Sequence, residues 1–241
     1  DSFAEGPGVE IDKIFAKLIE KKLNKRVLNF GNSGTEPKTQ LVRHIKYSKD
    51  FNFDEMIYFF LPQNDYSSPQ KISDNNKENN DNQFSFSKNF LKVKYEIVNF
   101  LSRFTYSYNF IRSTLYHFNI SINHGYENLS YFYKNQTNID YTFSYLEKLI
   151  SFKKVKSYIV VIPTIYDINN FQKNKINYKN FYWYKKISEL SVRNDSVLID
   201  LMDYIDFKKK PLYFHSCDGH WSEYGNFFAA DVFLENYNSV K

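Results

Sequence analysis

Two kinds of hydrophobic pattern alternate along the chain, and together they predict a parallel α/β architecture. Continuous apolar runs, which are typical of strands buried on both faces, occur at 26–30, 55–61, 157–162 and 197–201. Segments predicted as helices, mostly from apolar residues at helical spacing, occur at 9–23, 36–48, 97–115, 141–150, 179–190 and 222–237. The pattern predicts an α/β/α domain of three layers, with helices on both faces of a parallel sheet.

One segment departs from this alternation. Residues 66–87 are polar and repetitive, with the sequence DNNKENNDN at their centre, and they contain little that a core could bury. We interpret the segment as a mobile surface insertion in a single domain that spans residues 1–241. The alternative interpretation is that residues 66–87 form a lid over a neighbouring site instead of a loop in solvent.

Composition excludes several classes of protein. The 241 residues, 42% of them hydrophobic, are enough for a substantial core and do not match a collagen, a coiled coil or a wholly disordered chain. The net charge of +5 is dispersed along the chain, so we expect no nucleic-acid partner. The aromatic content of 20% accompanies abundant Asn, Lys and Ile, as an AT-rich genome produces, and is not evidence of stacking on sugars or bases.

Cysteine and histidine usage gives no indication of a metal. The single cysteine, Cys217, excludes an internal disulfide and a zinc site built from cysteines. His44, His117 and His124 lie away from the predicted strand ends and lack metal-ligand spacing, so we expect no metal and no cofactor. No apolar run approaches the roughly 18 residues that cross a bilayer, no signal peptide is visible, and the compartment stays undetermined.

Side chains suited to catalysis are concentrated in four blocks beside the predicted strands and helices. In an open parallel sheet, ligands bind beyond the carboxyl ends of the strands. The blocks are DSFAEG from residue 1, VLNFGNSG from residue 27, LPQND from residue 61 and CDGHWSEYGN from residue 217. They supply a hydroxyl, amide donors, a carboxylate and an imidazole, which is the set that acyl transfer through a serine requires.

In order and content these blocks resemble the SGNH (GDSL-like) hydrolase family, in which Ser, Gly, Asn and His come from four separated blocks. The resemblance extends from residue 1 to about residue 233. Each block alone occurs by chance, whereas four in this order, each after a predicted strand or before a helix, are specific. The resemblance implies the flavodoxin-like fold of that family and an esterase activity.

Carried over residue by residue, the resemblance implies a complete catalytic set. Ser2 would be the nucleophile, His220 its general base and later the general acid, and Asp218 the residue that orients His220. The oxyanion hole would consist of the backbone N–H groups of Ser2 and Gly34 and the side-chain amide of Asn64.

The last two blocks depart from the family pattern. One residue separates Asp218 from His220, where many members have two, and Trp221 follows. This spacing resembles relatives that act on polysaccharide acyl groups, so Trp221 either stacks on a sugar or packs under His220. Gln63 stands where glycine is common, which leaves Asn64 usable but the local turn uncertain.

The sequence lacks the strand that should precede Ser2 in this family. That first strand lies in the middle of the sheet and aims the nucleophile, so we expect the chain to be a fragment whose first central strand lies upstream. Extending the chain upstream is then expected to raise its melting temperature. A signal peptide or membrane attachment, as in a protein of the cell envelope or periplasm, would belong to that upstream part.

The predicted function is serine-dependent hydrolysis of an O-acyl ester, acetyl on a carbohydrate, through an acyl intermediate on Ser2. The expected partner is therefore an acylated small molecule or carbohydrate. Transfer of the acyl group to a polysaccharide uses the same residues and is the closest alternative. A non-catalytic carbohydrate-binding or assembly protein is the third, although such a relative would usually have lost a member of the catalytic set.

Overall fold

A parallel sheet lies at the centre of the structure, a computed structural model that describes residues 1–62, 65, 136–215 and 219–239. Within these residues the sheet has three strands in the order β1-β2-β3, namely β1 (Glu55–Phe60), β2 (Lys156–Val161) and β3 (Val197–Asp200). In the register, Glu55 pairs with Lys156, and Tyr158 of β2 pairs with Val197. The α/β class and the predicted strands at 55–61, 157–162 and 197–201 are confirmed.

Helices connect and flank these strands. In chain order they are α1 (Ser2–Glu5), α2 (Phe15–Leu23), α3 (Pro37–Tyr47), α4 (Gln136–Ser151), α5 (Ile165–Asn174), α6 (Tyr182–Arg193), α7 (Lys210–Tyr213) and α8 (Glu223–Ser239). Short 3₁₀ helices occur at Ile11–Lys13, Tyr178–Asn180, Leu201–Tyr204 and Phe207–Lys209. The helices predicted at 36–48, 141–150, 179–190 and 222–237 are confirmed with shifted ends. Helix α5 was not predicted.

Aromatic side chains of β1 and β2 pack against helices on both faces of the sheet, because neighbouring strand residues point to opposite faces. On one face, the ring of Phe60 lies 5.6 Å from that of Phe143 on α4 and 5.8 Å from that of Trp183 on α6. On the other face, Phe59 lies 4.7 Å from Phe15 on α2. Tyr158 packs on that second face against α8. The ends of the strands are therefore held between two layers of helices.

Several expectations concern residues outside the described ranges. The polar insertion at 66–87 and the helix at 97–115 both lie there, so both stay predictions, as does a single domain over residues 1–241. All described residues lie within one compact unit. Among them, no helix combines the length and apolar character that crossing a bilayer requires.

The strand predicted at 26–30 is wrong. Residues 25–32 carry no strand assignment, and Arg26, Asn29 and Phe30 are exposed. A strand needs a neighbour for its backbone hydrogen bonds, but the Val27 N–H donates to the Glu20 carboxylate at 2.9 Å. Residues 27–31 instead line one side of a cavity of about 540 Å³. The apolar run at 26–30 thus has the pattern expected of a buried strand, but no strand among the described residues lies beside it for pairing.

The helix predicted at 9–23 begins later, at Phe15, because a distant side chain caps it there. Ile14 is extended, and the Phe15 N–H donates to Oδ1 of Asn226 on α8 at 2.9 Å. The Asn226 amide also donates to the Ser222 carbonyl at 3.0 Å. Asn226 is fully buried, so one side chain connects the start of α2 to the start of α8.

Replacing Asn226 by alanine is expected to lower the free energy of unfolding by about 1 to 3 kcal/mol, because the buried Phe15 N–H loses its acceptor. The matched control is Asn236→Ala on the same helix, which removes bonds to Tyr204 and Val232 at a partly exposed position. It should cost about 0.5 kcal/mol or less. Denaturant unfolding of both variants measures the difference, and equal losses would contradict the capping role.

Candidate active site

Ser2 lies in the one-turn helix α1, where its side chain is almost completely buried. The Asp1 carboxylate accepts the Phe3 N–H at 2.7 Å at the start of this helix. Gly6 ends it in the left-handed conformation, with φ of 77°, and its N–H donates to the Ser2 carbonyl at 3.1 Å. A side chain at Gly6 would also meet Ile14, at 2.5 Å. These contacts hold the backbone around Ser2 in one defined turn.

The segment at residues 29–35, which we call the glycine turn, lies directly against α1. A Cβ on Gly31 would come within 2.3 Å of the Glu5 nitrogen and 2.6 Å of the Ala4 carbonyl carbon, so only glycine fits there. The Asn29 amide donates to the Ala4 carbonyl at 2.6 Å. The backbones of the first and second motif blocks are therefore in contact.

Gly34 lies at the exposed part of the glycine turn. It adopts φ of 70°, and no atom lies within 4 Å of where its Cβ would be. The N–H and the hydroxyl of Ser33 both donate to the same Glu5 carboxylate oxygen, each at 2.6 Å. These hydrogen bonds lower the pKa of the Glu5 carboxyl. Gly34 is thus an open backbone position joined, through its neighbour, to the helix that carries Ser2.

His220 lies on a short hairpin that packs against the residue after Ser2. The His215 N–H donates to the His220 carbonyl at 2.7 Å, and Phe214 forms an antiparallel bridge with Trp221. The His220 ring centroid lies 5.3 Å from that of Phe3. The fold therefore places the imidazole of the fourth block beside the first block.

Trp221 packs beneath the His220 hairpin. Its side chain is 4% exposed. Its ring lies edge-on to Phe3 at 4.9 Å and to Phe59 of β1 at 5.6 Å. Of the two roles that the sequence leaves open, this structure shows the packing role, because the buried ring offers no face to a sugar.

A buried polar network lies beyond the end of β1. The fully buried Asp65 carboxylate accepts the Leu61 N–H at 2.8 Å and the Gln40 side-chain amide at 3.2 Å. The Gln40 carbonyl oxygen in turn accepts the Tyr58 hydroxyl at 2.7 Å. Burial raises the pKa of Asp65 to about 7, while the hydrogen bonds from the Leu61 N–H and Gln40 oppose the rise.

The structure thus brings Ser2, Gly34 and His220 into one region at the carboxyl end of β1. Asn64 and Asp218, the other two members of the predicted set, lie outside the described residues. Sequence reasoning assigned no role to Asp65, although it directly follows Asn64 in the third block. The bonds of Glu5 to Ser33, and of Gln40 to Asp65 and Tyr58, were also missed, because these partners are distant in the sequence.

The described residues contain no group of three His, Cys, Asp or Glu side chains placed to hold a metal ion.

Comparison of the chain with protein-family models, with curated proteins and with solved structures finds no significant match in any of the three.

Proposed function

We propose that this protein is a serine esterase of the SGNH type, with the SGNH form of the parallel α/β fold. The observation that carries the proposal is the contact between the first and last motif blocks, in which the His220 ring lies 5.3 Å from the ring of Phe3, the neighbour of Ser2. The glycine turn lies against the same helix through Glu5 and Ala4. The proposal is supported because residues from three separate blocks of the sequence lie in one region of the fold.

In the proposed reaction, the Ser2 hydroxyl oxygen attacks the acyl carbonyl carbon and its proton passes to His220. The oxyanion is stabilised by the backbone N–H groups of Ser2 and Gly34, and by the Asn64 amide. His220 then protonates the leaving alkoxide, so the alcohol departs and the acyl group remains on Ser2. Water, deprotonated by His220, attacks this acyl-serine, and His220 returns the proton to the Ser2 oxygen as the carboxylic acid leaves. Asp218 orients the imidazole during both steps.

We propose an O-acyl group on a carbohydrate, acetyl in the first instance, as the substrate. The support is the Asp-Gly-His-Trp sequence at 218–221, which resembles that of polysaccharide-acting relatives. Transfer to a polysaccharide uses the same acyl-serine and differs only in which hydroxyl attacks it. Product analysis with and without an added polysaccharide acceptor distinguishes transfer from hydrolysis.

Fluorophosphonate labelling of the folded chain, read by intact mass, tests the proposal. We expect a single adduct in the wild type and none in Ser2→Ala, since the phosphorus bonds to the serine oxygen. His220→Ala should label at least about 100-fold more slowly, because a general base contributes about 10²- to 10⁴-fold.

The control is Ser144→Ala on α4, which removes an exposed serine hydroxyl away from the candidate site. Its adduct should still form. A folded wild-type chain that takes no label, or an adduct that persists in Ser2→Ala, would contradict the proposed function and favour a non-catalytic carbohydrate-binding protein.

A further inference from the structure

We propose that Glu5 and Gln40 are positioning residues that hold Ser33 and Thr35, the two neighbours of Gly34, and so set the direction of the Gly34 N–H relative to Ser2. The inference rests on the proposed function, in which that N–H stabilises the oxyanion. Neither side chain is a catalytic residue, since neither is proposed to touch the substrate.

Gly34 cannot define its own orientation. Glycine has the widest backbone freedom of any residue, and a Cβ at Gly34 would have no atom within 4 Å. An oxyanion donor is effective only when it is already aimed at the developing charge. The neighbours of Gly34 must therefore fix the direction of its N–H.

On the N-terminal side, Glu5 fixes Ser33. One carboxylate oxygen of Glu5 accepts both the N–H and the hydroxyl of Ser33, each at 2.6 Å. Ser33 contributes the carbonyl half of the peptide bond whose N–H belongs to Gly34. Because Glu5 is on α1, these bonds hold Ser33, the residue before Gly34, against the helix that contains Ser2. The Ser33 carbonyl itself accepts the Asn32 side-chain amide at 3.3 Å.

On the C-terminal side, Gln40 fixes Thr35. The Gln40 amide nitrogen donates to the Thr35 carbonyl at 2.8 Å and to Asp65 at 3.2 Å. The Thr35 hydroxyl donates to the Asn32 carbonyl at 2.8 Å, which closes the turn. Gln40 thereby joins the end of the glycine turn to the buried network beyond β1.

The test is steady-state hydrolysis of p-nitrophenyl acetate by Glu5→Ala and Gln40→Met. Each variant should lower kcat about 10- to 100-fold while KM changes less than about twofold, because a misaimed donor weakens only the transition state. Glu5→Gln should restore most of the kcat, since its single carbonyl oxygen can accept both Ser33 bonds. Gln172→Met on α5 is the matched control for Gln40→Met.

The ¹⁵N order parameter of the Gly34 N–H, from NMR relaxation, provides a second measurement that does not depend on activity. It should be lower in Glu5→Ala and Gln40→Met than in the wild type and in Glu5→Gln, under conditions in which every variant is folded. Wild-type activity with unchanged kcat in Glu5→Ala and Gln40→Met would overturn the positioning roles alone. A folded wild type with neither hydrolysis nor label would overturn the proposed function, and the inference with it, even where the order parameter of Gly34 changes in the variants.

Discussion

Replacing Gly225 by alanine is expected to lower the free energy of unfolding by about 3 kcal/mol or more, which is the upper range for overpacking. Gly225 lies in the first turn of α8, where a Cβ would come within 2.1 Å of the Tyr213 carbonyl oxygen and 2.9 Å of the Trp221 Cβ. Neither neighbour can rotate away, because one is backbone and the other is fixed to it. The clash would push α8 from the hairpin that carries His220, so fluorophosphonate labelling should fall as well.

Gly34→Ala is the matched control for Gly225→Ala. It also adds one methyl group to a glycine, but into open space, and it should cost only the roughly 1 to 2 kcal/mol of a left-handed alanine. Denaturant unfolding with a common m-value measures both losses. A Gly225→Ala protein that is as stable as Gly34→Ala would show that α8 and the hairpin are not in close contact.

The protein is expected to become less stable as the pH rises from about 4 to 7, because of Asp65. Burial raises the pKa of this carboxyl from 3.8 to about 7. At Asp65 the folded state then binds more protons than the unfolded state between these values, so the contribution of Asp65 to the free energy of unfolding falls through that window and is constant on either side of it. At about 1.4 kcal/mol per pKa unit, the decrease is about 4 kcal/mol as an upper bound.

Asp65→Asn isolates this contribution. Asp167 and Asp200 are also buried carboxyls whose pKa values burial raises, so the wild-type curve includes their titration. Subtracting the free energy of unfolding of Asp65→Asn from that of the wild type at each pH from 4 to 7 removes the titration of Asp167 and Asp200, which both proteins share. The variant should show a distinctly flatter curve, measured by urea unfolding. Parallel curves would mean that the Asp65 carboxyl stays charged in the folded state.

The three strands could be predicted because each contains an uninterrupted apolar run that a sheet buries. The run at 26–30 is shorter because Asn29 interrupts it. The feature that decides the outcome, a neighbouring strand, cannot be read from five residues. Helix α5 had a usable signal. Thr164 and Asp167 form a reciprocal capping box at its start, in which each side chain binds the backbone N–H of the other.

The candidate site could be predicted only as far as its residues lie in recognisable blocks. Ser2, Gly34 and His220 could be selected from the sequence because their neighbours have a familiar order. Glu5 and Gln40 could not, since Glu and Gln are common surface residues. What makes each of them specific is a partner that only the fold supplies.

The hydrogen bond between Phe15 and Asn226 joins residues 211 positions apart in the chain. During synthesis at about 5 to 20 residues per second, the second residue follows the first by roughly 10 to 40 s. For that interval the start of α2 is outside the ribosome without its cap, and the apolar face that packs on α8 is uncovered. In the nascent chain, Ser2 and α2 therefore cannot complete their packing until α8 emerges. During that time the uncovered apolar face is most accessible to aggregation and to chaperones.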